Sequence, residues 1–170
     1  MERVIPLSRR KGDIVVLVFF WINILFITYI VDVEQIVLPD ISGDWDYPLW
    51  PPALCVDIIH WYGKTFDPVL IARPAWWRMT IWIDALFFGP FYVAAIYAWT
   101  KGKNWIRIPS VIWASVLMTN VTIILGEEFM GPHATPAPLF VLALNLPWLL
   151  FPVYVIKRMY STETPFTETL

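Results

Sequence analysis

The chain has 170 residues, of which 58% are apolar and only 15% are charged, so it is too apolar to fold as an ordinary soluble domain. Its 12 basic and 14 acidic residues nearly cancel, and no basic run is present, which excludes a nucleic-acid partner. Cys55 is the single cysteine, which excludes an intrachain disulfide and a cysteine-rich metal site. We therefore expect a protein that has the lipid bilayer as its solvent and that carries neither a metal nor another cofactor.

The first apolar stretch covers residues 14–32 and predicts a membrane-spanning helix. A span needs about 20 mostly apolar residues, because each helical residue advances about 1.5 Å across about 30 Å of hydrocarbon. In lipid every backbone polar group must be satisfied within the segment, so the span is predicted to be a helix and not a strand. The stretch lacks a small-residue cleavage site, which favours a retained helix over a cleaved signal.

A long segment rich in Pro, Trp and Asp follows, and three further apolar stretches come after it. Within the long segment, residues 55–62 predict a short interfacial helix, since Trp and Tyr suit the headgroup level. Residues 1–160 are predicted to form one all-α domain, a bundle of four transmembrane helices. Residues 161–170 are polar, lack apolar periodicity and are predicted to be a disordered cytoplasmic tail. The three later helices are predicted at residues 78–100, 107–126 and 137–157.

Basic residues are distributed unevenly between the two ends of the predicted helices. Nine of the twelve precede the first helix, lie between the second and third, or follow the fourth. Because cytoplasmic loops are enriched in Lys and Arg, we predict that both termini are cytoplasmic and that the long segment faces a lumen or the outside of the cell. The nine residues are Arg3, Arg9, Arg10, Lys11, Lys101, Lys103, Arg107, Lys157 and Arg158.

Carboxyl and amide side chains interrupt the apolar helices at one level. Asp84, Asn120 and Asn145 each lie about 9 to 15 Å from the lumenal end of their predicted helix, and Asp32 closes the first helix on the same side. An ionisable residue within a span costs about 2.5 to 3.5 kcal/mol on insertion scales, so Asp84 is a functional-site candidate. The alternative is a protonated Asp84 that only packs helices through a hydrogen bond to Thr80 or Asn120.

Helical spacing and proline positions predict a cavity around this level. Residues three or four positions apart share a helix face, which groups Phe87 and Phe88 with Asp84 on the second helix. Thr119 belongs to a stripe of hydroxyl residues, for which helix packing is the alternative to ligand contact. Pro90 removes a helical hydrogen bond and predicts a kink, which would make room for a ligand in the lumenal half. Such a cavity suits a large apolar molecule that carries one polar or cationic group.

Five segments resemble a known family in their order and spacing. They are VDVEQIVLP (residues 31–39), HWYGKTFDPVL (60–70), PAWWRMTIWIDALFFGPF (74–91), YAWTKGKNWIRIP (97–109) and VLMTN (116–120). On these segments the chain is similar to the EXPERA family, whose branches are typified by the sigma-2 receptor and by the emopamil-binding sterol isomerase, and it is more like the receptor branch. The resemblance implies a four-helix fold whose cavity opens toward the membrane, homodimers, and sterol-like or lipophilic-amine ligands. It also implies the endoplasmic reticulum membrane, or the plasma membrane if the source is bacterial.

The same resemblance implies roles for individual residues. Asp32 matches the acidic residue that ends the family's first helix, and Asp84 matches its second-helix carboxylate. Asp67 matches an Asp of the loop motif, for which a structural role is expected. Asn145 and Trp148 resemble the isomerase pattern on the fourth helix. The candidate ligand-binding residues are Asp32, Tyr62, Thr80, Asp84, Phe87, Phe88, Thr119, Asn120, Asn145 and Trp148, and the structural candidates are Asp67 and Pro90.

Three functions are open from the sequence. The first is a binding protein that takes sterols or lipophilic amines into an intramembrane pocket and serves sterol or lipid homeostasis. The second is a sterol double-bond isomerase or terpenoid cyclase in which Asp84 and Asp32 act as the general acid on a carbocation pathway. The isomerases have a His where this chain has Thr80, so their proton-transfer pair is incomplete here. The third is a scaffold whose polar residues only pack helices.

Overall fold

The computed structural model describes residues 2–169, and most of them are helical. Within this range four helices are long and apolar enough to cross a membrane, which confirms the predicted four-helix bundle of an integral membrane protein. In chain order the elements are β1 (Glu2–Val4), α1 (Lys11–Val37), α2 (Ala53–Phe66), α3 (Pro68–Ala72), α4 (Ala75–Lys101), α5 (Asn104–Met130), α6 (Pro138–Tyr160) and β2 (Thr167–Thr169).

Each spanning helix extends beyond the apolar stretch that predicts it. The stretch at residues 14–32 lies inside α1, Lys11–Val37, whose central part, Asn23–Asp32, is π-helical. A π-helical turn also occurs in α4, at Asp84–Phe88, directly before the turn that contains Pro90. Hydropathy marks only the part of a helix that crosses hydrocarbon, so the polar turns at its ends were not predicted. Single π-helical turns within α-helices are frequent at functional sites.

Two shorter helices cover one end of the bundle, which we call the covered end. The helix predicted at residues 55–62 is present as the longer α2. A Cβ atom on Gly63 of α2 would lie 2.6 Å from Ile71 Cδ1, so α3 packs directly against the backbone of α2. Asp67 joins the two helices, because its backbone N–H donates to the Gly63 carbonyl at 3.2 Å and its carboxyl accepts from the Leu70 N–H at 3.4 Å.

The opposite end of the bundle, which we call the terminal end, holds both ends of the chain. β1 and β2 pair there as an antiparallel two-stranded sheet, with Arg3 opposite Glu168. The sheet corrects the prediction that residues 161–170 form a disordered tail, since residues 161–169 are folded onto the bundle; Leu170 lies outside the described residues. That this end faces the cytoplasm stays a prediction.

Phe166 anchors the tail to the terminal end. Its side chain is fully buried, and its ring lies 5.3 Å from that of Trp99. The guanidinium groups of Arg10 and Arg158 lie over the same ring at 5.0 and 5.5 Å. An aromatic side chain held by cation–π contacts thus orders a polar segment that has no apolar periodicity of its own.

An aromatic core fills the half of the bundle next to the terminal end. The ring of Phe20 meets those of Trp99 and Trp113 edge to face, with centroids 5.6 and 5.3 Å apart, and Phe91 stacks on Trp113 at 5.0 Å. These arrangements match the quadrupole preference of aromatic rings. The main cavity lies in the other half of the bundle, beneath the covered end.

Candidate functional site

A cavity of about 440 Å³ lies among the four spanning helices and beneath α2. Its wall is mostly apolar and carries a few carboxyl, hydroxyl and amide groups. Pockets of about 300 to 1,000 Å³ with this composition are typical of sites that enclose lipophilic small molecules. Eight of the ten candidate ligand-binding residues line the cavity, namely Asp32, Tyr62, Thr80, Asp84, Phe88, Asn120, Asn145 and Trp148.

Two carboxyl groups meet in this cavity, one from each π-helical segment. Asp32 ends the π segment of α1 and Asp84 begins that of α4, and the two side chains are direct neighbours. Thr28, and not the predicted Thr80, donates its hydroxyl to Asp84 Oδ1, at 2.5 Å. A Cβ atom on Gly89 would lie only 3.2 Å from Thr28 Cγ2, so a glycine at this position allows α1 and α4 to approach closely.

Among the described residues, no cation balances this carboxyl pair. The ion pairs found between residues 2 and 169 involve neither Asp32 nor Asp84. Asp32 is 4% exposed, and its Oδ2 atom has no hydrogen-bond partner within the same range. The pair therefore carries uncompensated negative charge or shares a proton, and both states favour a cationic or hydrogen-bonding ligand.

Arg73, a buried cation at the covered end, is bound to a different carboxylate, which also contacts His60. Arg73 Nη2 donates to both oxygens of Glu34, at 2.9 and 2.8 Å, and His60 Nε2 lies 2.8 Å from Glu34 Oε1. The Arg73 guanidinium also donates to the carbonyls of Leu38 and Leu70. This set, which we call the Glu34 cluster, ties α1 to α2 and to the end of α3, and its three side chains do not line the cavity.

Two predicted ligand residues lie outside the cavity. Phe87 is 40% exposed on the outside of α4, and Thr119 is exposed on α5, where its hydroxyl donates to the Ser115 carbonyl at 2.9 Å. Successive helical residues point about 100° apart, because a turn contains 3.6 residues. Phe88 and Asn120 face the cavity, and their chain neighbours Phe87 and Thr119 therefore do not.

Three polar side chains at the site were missed from the sequence. Trp77 Nε1 donates to Gln35 Oε1 at 2.5 Å, and both side chains line the cavity; the third is the Thr28 hydroxyl described above. Thr28 is four residues before Asp32 and Gln35 is three residues after it, so helical spacing around Asp32 indicates both of them. Asp67, expected to be structural, caps α3 and also lines the cavity.

Most of the remaining polar groups of the cavity wall form hydrogen bonds within the protein. The Thr80 hydroxyl donates to a backbone carbonyl of α4 at 2.8 Å, and the Asn145 amide donates to one of α6 at 2.9 Å. Trp148 Nε1 donates to Asn23 Oδ1 at 2.8 Å. The side-chain amide of Asn120 has no such partner in the described part of the chain, so it stays free to bond a molecule in the cavity.

Two ionisable groups stand at the covered end of the cavity, outside the spanning helices. Burial raises the pKa of the Asp67 carboxyl above its usual range. Burial, together with the negative charge of nearby carboxylates, raises the pKa of the Tyr62 hydroxyl further above its usual range. Tyr62 is therefore neutral at physiological pH and acts in the cavity as a hydrogen-bonding group.

The fold and the cavity together define an integral membrane protein whose four-helix bundle encloses a mostly apolar cavity with an uncompensated carboxyl pair. The model of the EXPERA family (EXPanded EBP superfamily) matches residues 54–159. The chain belongs to this family, which confirms the resemblance drawn from the five sequence segments.

Similar proteins span nearly the same length. Sigma intracellular receptor 2 of Macaca fascicularis is 30% identical over 176 aligned positions, which cover 95% of this chain and 93% of that protein. The protein of the same name from Xenopus tropicalis is 28% identical over 152 positions, covering 83% of this chain and 84% of the relative. The human protein of that name is 30% identical over 124 positions, covering 65% and 69%.

Proposed function

We propose that this protein binds a sterol-like or lipophilic-amine ligand in its intramembrane cavity and serves sterol or lipid homeostasis. In this proposal the carboxyl pair, Asp32 and Asp84, receives the cationic or hydrogen-bonding group of the ligand. The aromatic side chains of Phe88 and Trp148 contact its apolar body. Asn120 supplies a second polar contact.

The observation that carries the proposal is the carboxyl pair without a cation inside an apolar cavity. Removing charges from water is costly unless they are paired, and intramembrane carboxylates in particular mark ligand or ion sites. An ammonium group would supply the missing positive charge, and adjacent aromatic faces would add cation–π attraction. A neutral sterol would use its hydroxyl as a hydrogen-bonding group at the same place.

The comparisons support the same class of function. The similar proteins carry the name sigma intracellular receptor 2, and a receptor requires a ligand site. We also propose that the protein resides in the endoplasmic reticulum membrane and that it forms a homodimer. Both termini are proposed to be cytoplasmic, because nine of the twelve basic residues lie at that end of the helices.

The test is ligand binding to purified protein in nanodiscs, with a radiolabelled lipophilic tertiary amine and a neutral sterol photoprobe. Asp84→Asn keeps the side-chain shape but removes the charge. Truncating one partner of a buried charge pair costs about 2 to 5 kcal/mol, so we expect the amine affinity to fall at least about thirtyfold. The labelling by the neutral sterol should change much less.

Asp57→Asn is the matched control, because Asp57 lies on the exposed side of α2, where it accepts a hydrogen bond from Tyr47. It should bind both probes like the wild type. If Asp84→Asn and Asp32→Asn both bind the amine with wild-type affinity, the proposal is refuted and a helix-packing role for the pair is left.

A membrane-embedded isomerase or cyclase is the second candidate, since the same carboxyl pair is an acid in an apolar cavity. The geometry offers it little further support. His60 is bound to Glu34, and the Thr80 hydroxyl donates to the backbone. If the protein is such an enzyme, Asp84→Asn should bind sterol normally and form no product, which sterol analysis of the reaction mixture would show.

A further inference from the structure

A second carboxyl pair lies at the covered end, between Asp67 and Glu128. Asp67 ends α2 and begins α3, while Glu128 lies in the last turn of α5. The two carboxyl groups are within hydrogen-bonding reach of each other. Asp67 is 6% exposed and Glu128 is 1% exposed. The contact thus joins the two covering helices to a spanning helix.

This pair has no cationic partner in the described part of the chain. None of the ion pairs within residues 2–169 includes Asp67 or Glu128, and no other group in that range bonds the Glu128 oxygens. The ionisable neighbours are Tyr62 on α2, which is neutral, and Glu127 on α5, which is bound to His133 at 2.7 Å. Two buried carboxyl groups in contact cannot both ionise cheaply, so they share one proton.

We propose that the proton shared by Asp67 and Glu128 holds α2 and α3 closed over the cavity and that loss of this proton loosens them. With both groups ionised, the contact changes from a hydrogen bond to repulsion between two buried carboxylates. The corner between α2 and α3 would then separate from α5. This proposal concerns access to the cavity and does not depend on which ligand the cavity takes.

The surrounding contacts couple this corner to the wall of the cavity. Asp67 and Tyr62 both line the cavity, so moving the corner opens its wall. The segment that follows α5 is held at the same place, because the Thr135 hydroxyl donates to the Phe66 carbonyl at 2.5 Å and its N–H donates to the Glu128 carbonyl at 2.9 Å. A change at Glu128 is therefore transmitted to the end of α2.

The sign of the pH effect follows from linkage. The closed form binds the shared proton more tightly than the open form, in which water reaches both carboxyl groups. Low pH therefore favours closure, and closure is lost as the pH rises through the titration of the closed pair. Between the titration of the open form and the higher titration of the closed pair, one proton separates the two forms, so the ratio of open to closed protein should rise about tenfold for each pH unit and level off above the closed pair's titration.

Hydrogen–deuterium exchange of residues 53–72 in the full-length protein in nanodiscs tests this directly. Glu128→Gln replaces the shared proton by an amide that donates at every pH, so α2 should stay closed. The ratio of wild-type to Glu128→Gln exchange at each pH cancels the intrinsic pH dependence. We expect a ratio near one at low pH, an increase of about tenfold per pH unit between the titration of the open form and that of the closed pair, and a plateau above it.

Glu127→Gln is the matched control, because it changes the adjacent carboxyl group and leaves the shared proton in place, so it should keep the pH-dependent increase of the wild type. Asp67→Asn provides a second variant that removes the shared proton, and its exchange should follow the intrinsic pH dependence alone, as that of Glu128→Gln does. Equal exchange of the wild type and both pair variants at every pH would overturn the proposal. So would a Glu127→Gln variant that protects α2 as Glu128→Gln does.

Discussion

Two groups of buried charge near the covered end differ in how they are neutralised. In the Glu34 cluster, one carboxylate receives three hydrogen bonds from Arg73 and His60. In the cavity, the only partners of Asp32 and Asp84 found within residues 2–169 are each other and the Thr28 hydroxyl. Both groups begin in α1, within one helical turn of each other. The two groups therefore differ in the charged and hydrogen-bonding partners of their carboxyl groups, and not in how deep they lie in the bundle.

The comparison separates a structural from a ligand-binding role. A carboxylate whose charge and hydrogen bonds are satisfied within the protein holds helices together and has no free charge or acceptor site for a ligand. A carboxyl pair that is unsatisfied and borders a cavity reduces the stability of the empty protein and is relieved by a ligand. Four substitutions test this distinction, and we order them by the size of the expected effect.

Arg73→Ala should cause the largest loss. It leaves Glu34 buried beside a single histidine, and removing one partner of a buried ion pair costs about 3 to 5 kcal/mol. The free energy of unfolding in detergent, followed by circular dichroism, measures this loss. Arg78→Ala is the control, since Arg78 is exposed and makes no ion pair within the described residues. Equal losses from the two changes would contradict the structural role of the Glu34 cluster.

Asp13→Asn should cause an intermediate loss at the terminal end. Asp13 pairs with Arg10 at 2.7 Å and with Arg158 at 3.1 Å. Both guanidinium groups keep backbone acceptors when the charge is removed, so the cost should be about 1 to 3 kcal/mol. The unfolding free energy measures it. A loss as large as that of Arg73→Ala would show that backbone acceptors do not compensate for the missing carboxylate.

Asp84→Asn should change stability by about 1 kcal/mol or less and in the stabilising direction, because an amide is cheaper to bury than an unpaired carboxylate. Glu34→Gln is the matched change of carboxyl to amide, and it should be clearly destabilising because it leaves Arg73 unpaired. Thermal unfolding of the wild type and the two variants in the same detergent measures both changes in stability. If Asp84→Asn destabilises as much as Glu34→Gln, the cavity pair is structural too.

Asp57→Asn should have the smallest effect, with no measurable change in stability, because the side chain is exposed. It should still change one titration. Tyr47 donates to Asp57 Oδ1 at 2.7 Å, and this hydrogen bond to the carboxylate raises the pKa of Tyr47. In the variant the pKa of Tyr47 should fall toward its ordinary value. Ultraviolet difference titration of the two proteins measures the change, and identical titration curves would contradict the Tyr47–Asp57 contact.

The sequence predicted much of the cavity because helical spacing converts chain positions into faces. Asp84, Asn120 and Asn145 were placed at one level by counting residues, and all three line the cavity. The same counting gave no basis for choosing between Phe87 and Phe88. Thr28 was missed because a threonine four residues before an aspartate also fits ordinary helix packing.

The sequence by itself determined that the protein lies in a lipid bilayer and how many membrane-spanning helices it has. An apolar stretch of about 20 residues is a local property, and lipid permits it hardly any structure other than a helix. Only the tertiary structure decided which carboxyl groups are satisfied, because that depends on contacts between distant parts of the chain. Arg73 reaches Glu34 across 39 positions, and Thr28 reaches Asp84 across 56. The folded tail is such a case as well, since Phe166 is ordered by Arg10, which lies at the other end of the chain.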